Sequence, residues 1–305
     1  MNKMDTAVEN PAVAVEKPES EWKAMWESLL SNKVSVVGMV VILILIAISL
    51  AIWVTELFGV RILPYDPNVT NMANSFQAPS LRHLFGTDQL GRDIFSRVLD
   101  GTKISLFVGF CVVIFSSVCG VALGSVAGYK GGKTDIVIMR FMDMMLAIPS
   151  ILLAITLMAA MGKGLGKAIF AIGVVSIPEY ARIVRSSVLS VKESDFVQAA
   201  RVIGNRDGRI IFKHILPNTI SSIVVRATLG VSSAILDTSA LGFLGLGVQP
   251  PTAEWGDMLG RAKSYIFTAP YTLFFPGLAI MIAVLAFNLF GDGLRDALDP
   301  KSRKR

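Results

Sequence analysis

Charge is scarce in this chain. Asp, Glu, Lys and Arg make up 17% of its 305 residues against 53% hydrophobic ones, and the mean hydropathy is +0.60. That balance excludes a disordered chain and an ordinary water-soluble enzyme. Cysteine is nearly absent: Cys111 and Cys119 are the only two. They lie eight residues apart in one apolar run, about 12 Å along a helix axis, too far apart to bridge. No disulfide framework follows. The two histidines, His83 and His214, are distant in sequence and have no thiol or carboxylate cluster at metal-ligand spacing, which excludes a metal enzyme. Neither a Gly-x-Ser-x-Gly elbow nor a His-Glu-x-x-His pair occurs, so hydrolase chemistry lacks its residues.

What the chain has instead is long uncharged runs, at residues 34–55, 104–129, 144–162 and 264–291. Each approaches or exceeds the roughly 20 helical residues that cross a bilayer. Two more apolar segments carry charge: 165–185 contains Glu179, and 218–248 contains Arg226 and Asp237. Neither shows the period-two alternation of a barrel strand, and unpaired backbone is too costly in hydrocarbon. The expected fold is therefore all-α, a polytopic membrane bundle of six transmembrane helices.

The formal net charge of +6 invites a nucleic-acid reading, which topology removes. With six spans and a cytoplasmic N-terminus, 18 basic residues fall on the cytoplasmic side and 9 outside, with Arg140 and Arg226 in or beside spans. This positive-inside asymmetry places both termini in the cytoplasm. The organisation read from the chain is a cytoplasmic tail over 1–33, a first span over 34–58, an external segment over 59–103, a core of five spans over 104–292 and a basic tail over 293–305. Within the first of these, 20–33 aligns Trp22, Met25, Trp26, Leu29 and Leu30 on one helical face, the pattern of a short helix on the inner leaflet. The external segment opens with Pro64, Pro67 and Pro79 and turns helical toward its end, as a surface helix on the outer membrane face. The first span starts too far in, and runs too long, for a cleaved leader, so it reads as an anchor.

Ser116, Gly120, Gly124 and Gly128 recur every four residues in the second span, a stripe where another helix can approach closely. Ala127–Thr134 matches a permissive phosphate-loop pattern. It joins two spans, however, rather than a strand and a helix, and reads as a turn. Among charged residues in spans, Asp237, Arg226, Asp143 and Glu179 are candidates for lining a polar pathway. Arg226 and Asp237 are 11 residues apart, which places them on one helical face some 16 Å apart. Arg140 and Asp143, three apart, suit a local ion pair.

The densest signal is the longest stretch between spans, residues 186–217. Asp195 and Gln198 have capping-box spacing, Phe196 to Ile203 suit two helical turns, and Gly204 suits a left-handed stop. Asp207 suits a second cap, and Pro217 begins the next span. A compact helix pair presenting Ala199 and Ala200 beside Phe196 and Arg201 suits insertion into a groove on another protein.

The run Gln198-Ala-Ala, then Gly204, then Leu216-Pro217 resembles the signature loop of ABC importer permeases, which is Glu-Ala-Ala followed at fixed spacing by Gly and Ile-x-Leu-Pro. Gln198 stands where that pattern has glutamate, and His214 where it has isoleucine. Phe85-Gly-Thr-Asp-Gln-Leu-Gly-Arg-Asp-Ile-Phe-Ser-Arg97 and Leu241-Gly-Phe-Leu-Gly-Leu-Gly-Val-Gln-Pro-Pro-Thr-Ala-Glu-Trp-Gly256 are similar to the dipeptide/oligopeptide branch, C-type subunit. The resemblance implies a permease in the bacterial inner membrane that carries no catalytic residue, cofactor or metal of its own. ATP and magnesium would be bound by partner subunits. It implies a heterodimer with a second permease, two ATPase subunits and an extracytoplasmic substrate-binding protein, with membrane lipid around them and no nucleic acid. Cargo would be di- or oligopeptides, with a nickel chelate or glutathione as alternatives. Asp195 through Gly204 resemble the coupling helix that docks on an ATPase. A secondary transporter needs midplane ion-coupling carboxylates and internal repeats, and a purely structural subunit needs no coupling loop.

Overall fold

The computed structural model describes residues 21–60 and 62–298. The tails at 1–20 and 299–305 lie outside these residues, as does the side chain of Trp22. The described chain is helical, with no strand among the described residues beyond an isolated bridge between Thr87 and Asp93.

Helix α1 spans Glu21–Ser31 and α2 spans Lys33–Leu57. Asn32 separates them: its side chain accepts from the Val34 and Ser35 amides at 3.1 and 3.3 Å and starts α2 as an N-cap. Helix α3 runs unbroken through Ile94–Lys130, 37 residues or about 55 Å. A separate surface helix at the end of the external segment does not form, because that stretch is the first turns of α3. No proline interrupts it, and Asp93 caps its start, accepting from the Ser96 amide at 2.8 Å.

Helix α4 covers Gly132–Leu146 and α5 covers Ser150–Met161, bent 91° apart. The straight span expected over 144–162 is therefore broken. Pro149 has no amide to donate and drives Ile148 out of helical geometry, so the chain turns there. Helix α6 is Leu165–Val191, and α7 is Asp195–Val202. Next come α8, Asp207–Ile210, a π-turn at Ile211–Ile215, and α9, Leu216–Phe243. Helix α10 is Trp255–Ala262 and α11 is Tyr271–Leu298.

Four helical stretches are long and apolar enough to cross a membrane: α2, α3, α8 with α9, and α11. The bent α4–α5 pair makes a fifth if it counts as one broken span. Helix α6, at 27 residues, is long enough but carries Lys167, Glu179, Arg182 and Arg185. The protein is an all-α polytopic bundle whose sixth span rests on length rather than apolarity.

The tightest packing joins α3 to α6 along the small-residue stripe. A Cβ added at Gly120 would sit 2.3 Å from Tyr180 Cβ, and one at Gly124 would sit 2.4 Å from the Ala181 carbonyl oxygen. At Gly128 it would meet the Arg185 oxygen at 2.9 Å. The backbones approach so closely that only glycine fits. Helix α9 closes on the same pair, with Val231 and Ile235 against Gly109. Helix α1 seats Met25 and Leu29 on Leu294 and Ala297 of α11, and leaves Trp26 and Leu30 exposed. Half of its apolar face thus has a protein partner rather than lipid.

At the end of the bundle away from α7, residues 58–60, 62–93 and 244–270 form a cap over the end of α2 and the first turns of α3, where several buried charges are paired. Asp88 holds Arg92 at 2.7 Å, and Lys103 lies between Asp100 at 2.7 Å and Glu56 at 2.5 Å. Arg97 reaches the Pro67 carbonyl at 2.6 Å. Trp255 donates from Nε1 to the Val98 carbonyl at 2.9 Å. Glu254 is the N-cap of α10, accepting from the Gly256 and Asp257 amides at 2.8 Å each. Its burial pushes the carboxyl up from near 4.5 to about 7.

Two outcomes follow. Gly120→Ala and Gly124→Ala should each cost about 1–3 kcal/mol by overpacking, read as a lower melting temperature of the purified protein. Gly166→Ala, with nothing within 4 Å, should leave it unchanged. Between pH 4.5 and about 7 unfolded chain sheds the Glu254 proton while folded chain retains it. Stability should therefore fall with rising pH across that window and level off above it. Melting curves of Glu254→Gln should lack that component.

Candidate functional site

Two features stand out: the α7 loop at one end and a polar cavity among α3, α5, α6 and α9. In the loop, Ser194 is the N-cap of α7, and its hydroxyl turns back to the Val191 carbonyl at 2.6 Å. Asp195 already has helical geometry, so it and Gln198 do not form the expected capping box. Gln198 donates instead to Glu193 Oε2 at 3.3 Å. The helix stops at Gly204, whose φ of +83° is the left-handed value the sequence pattern asks for. Arg206, not Asp207, is the N-cap of α8. The Asp207 carboxylate accepts from the Tyr129 hydroxyl at 2.9 Å, while Arg201 lies 5.1 Å over the Tyr129 ring. Leu216 and Pro217 open α9 directly after the π-turn.

The two alanines differ in burial. Ala200 is buried with Val197 against Ile210, Ile211, Ile215, Val184 and Val188, which seats α7 on α6 and the start of α9. Ala199 is exposed, beside Phe196 at 46% exposure. Val202 and Ile203 are 88% and 80% exposed, an apolar end that the sequence pattern did not single out. The signal was present: two large apolar residues immediately before the glycine stop, one turn beyond the buried Val197–Ala200 face.

The cavity, about 260 Å³, brings together Glu179, Arg226 and Asp237. Glu179 and Arg226 form an ion pair between α6 and α9, with the guanidinium 5.5 Å over the Tyr180 ring. Arg226, Gly230, Ser233 and Asp237 line it from one stripe of α9 at helical spacing. Gly230 is required there, since a Cβ would lie 2.1 Å from the Tyr180 hydroxyl. Asp143 lies elsewhere. It is exposed and pairs with Arg182 at 2.8 Å, joining α4 to α6 instead of pairing with Arg140. Ala127–Thr134 runs from the last turn of α3 into α4 with no strand before it. Among the described residues, no three His, Cys, Asp or Glu side chains converge as a metal site.

Residues 120–304 match the family described as binding-protein-dependent transport system inner membrane component, and residues 20–79 match the N-terminal transmembrane domain of oligopeptide transport permease C. The chain is 47% identical over 286 residues to the dipeptide transport system permease protein DppC of Alkalihalophilus pseudofirmus, covering 93% of this chain and 91% of the relative. It is 43% identical to the di/tripeptide transport system permease protein DppC of Pseudomonas aeruginosa over 99% of this chain and 98% of that one. It is 44% identical to the glutathione transport system permease protein GsiD of Pectobacterium atrosepticum over 95% of each. The chain belongs to the inner-membrane permease family of binding-protein-dependent transport systems. Its fold also matches a chain of the MetNI methionine ABC transporter, with TM-score 0.56 and 20% identity over 68% of this chain and 98% of that one.

Within this permease the loop and the cavity share α6 and α9, so the Glu179–Arg226 pair ties the two helices that also carry α7. Truncating one partner leaves the other charge uncompensated in a low-dielectric setting. Glu179→Ala and Arg226→Ala should each lower the melting temperature, while the double charge swap, Glu179→Arg with Arg226→Glu, should recover most of the loss.

Proposed function

We propose that this permease is one half of the translocation pathway of an ATP-driven importer for di- and oligopeptides, and that residues 195–204 couple it to partner ATPases. The observation that carries the reading is the exposed apolar side chains of α7 and its C-cap, Phe196 in the first turn and Val202 and Ile203 at the end, on a helix whose other face is locked to α6 and α9. An exposed apolar patch on a braced element suits a protein groove. Closure of a partner pair would move α7 as a lever, and with it the two helices that line the cavity.

In this reading both termini and α7 are cytoplasmic, as the basic-residue asymmetry indicates. A second homologous permease completes the pathway, two ATPases bind and hydrolyse ATP with magnesium, and an extracytoplasmic binding protein delivers cargo. This chain itself performs no hydrolysis and holds no cofactor. The peptide reading draws on the dipeptide and di/tripeptide permeases among its relatives. Glutathione, itself peptide-like, is the second reading, favoured by relatives of similar identity.

Val202→Asp and Ile203→Asp test the coupling role, because both side chains are exposed and their replacement leaves the core untouched. Each should reduce co-purifying ATPase and peptide uptake roughly tenfold or more, as loss of an interface anchor does, with the permease still in the membrane. Gly204→Asp should act in the same direction by straining the left-handed stop. Unimpaired uptake and ATPase recovery in all three variants would overturn the coupling assignment.

A further inference from the structure

The charges of the cavity are not balanced. Arg226 is neutralised by Glu179 and covered by the Tyr180 ring. Asp237 has no ion-pair partner among the described residues, and Arg226 is the only cation that lines the cavity with it. Their 11-residue separation on α9 sets them about 16 Å apart along the axis, beyond direct pairing. A carboxylate with no counter-charge in a low-dielectric site is costly unless a cation or hydrogen-bond donors reach it. Serine hydroxyls stand nearby, since Ser233 is one helical turn before Asp237 on the same stripe and Ser176 faces the cavity from α6. Val175 and Leu236 supply apolar wall. The volume of about 260 Å³ holds roughly nine waters at ~30 Å³ each, room for a small molecule with both polar and apolar parts.

We infer that Asp237 is a cargo subsite that receives a primary ammonium group, the free amino end of a peptide, as it crosses the membrane. The carboxylate supplies the counter-charge, the serine hydroxyls accept the remaining N–H donors, and the valine and leucine walls take the adjoining side chain. Arg226 does not compete for the cargo's carboxylate, because Glu179 already occupies the guanidinium. The site thus holds one end of a zwitterion and lets the other go, which suits a station on a pathway better than a trap. This inference rests on the permease reading above.

The test uses the complete importer, with its partner permease and ATPases, in lipid nanodiscs. Cys111 and Cys119 are replaced by serine, and Ser150→Cys, which lines the cavity from the first turn of α5, serves as a reporter. Its reaction with neutral methyl methanethiosulfonate is timed in the presence of alanyl-alanine or of N-acetyl-alanyl-alanine. The free dipeptide should slow labelling and the acetylated one should not. Asp237→Asn should weaken that protection roughly tenfold, the loss expected for one charge-assisted hydrogen bond, and Asp237→Glu should retain it. Equal protection by both peptides, or undiminished protection in Asp237→Asn, would overturn the subsite. So would labelling blocked without cargo, which would assign Asp237 to the contact with the second permease. Protection by sodium chloride alone would assign the carboxylate to a bare cation and equally overturn it. Uptake of alanyl-alanine by the wild-type complex is measured separately. Its absence would sink the peptide reading, whereas its presence alongside failed protection would sink the subsite alone.

Discussion

Close approach of α3 and α6 is the constraint on which the remaining structure depends. In hydrocarbon, apolar side chains gain little by leaving lipid for protein, so helix association relies on packing at short range. Gly120, Gly124 and Gly128 make that possible by letting the backbone of α6 come within contact of α3. Helix α9 then settles on both, with Gly109 under Val231 and Ile235 and Gly230 under the Tyr180 hydroxyl. The polar cavity is the gap left between these contacts, lined by Val112, Val113 and Ser116 of α3 together with residues of α6 and α9.

The same helices connect the two ends of the molecule. At its first turn α3 belongs to the cap, where Asp93 bonds both the Ser96 amide and His83. At its last turn Tyr129 bonds Asp207 and underlies Arg201 of the loop. Helices α6 and α9 flank the loop directly, and the buried cluster around Val197 and Ala200 leaves α7 little freedom to move without them. A push on the exposed end of α7 is therefore delivered to the helices that bear Glu179, Arg226 and Asp237. That contiguity is the physical content of the proposed lever, a rigid element seated on two others that line the cavity.

Much of the site was legible in the chain because it is encoded locally. Gly204 before an Asn-Arg-Asp run gives the loop its stop, and the observed φ of +83° is what such a position demands. The capping residues were misplaced by one position, Ser194 for Asp195 and Arg206 for Asp207, because a side chain able to cap is also able to sit one residue inside the helix. The orientation of Ala199 and Ala200 was not legible. Adjacent residues on a short helix point about 100° apart, and which one is buried depends on where α6 and the start of α9 lie.

By itself the sequence determined the all-α membrane architecture, the small-residue stripe on α3, the existence and stop of the α7 loop, and the shared face of Arg226 and Asp237. These follow from composition and from helical periodicity, which are properties of one segment at a time. Tertiary structure alone decided that α6 is the helix packed on the stripe, that Arg226 pairs with Glu179 and Asp143 with Arg182, and that α4 and α5 meet at 91°. Periodicity states which residues share a face but not which helix covers it. An ion pair between elements 39 to 47 residues apart, as in Asp143–Arg182 and Glu179–Arg226, exists only once packing has brought them together.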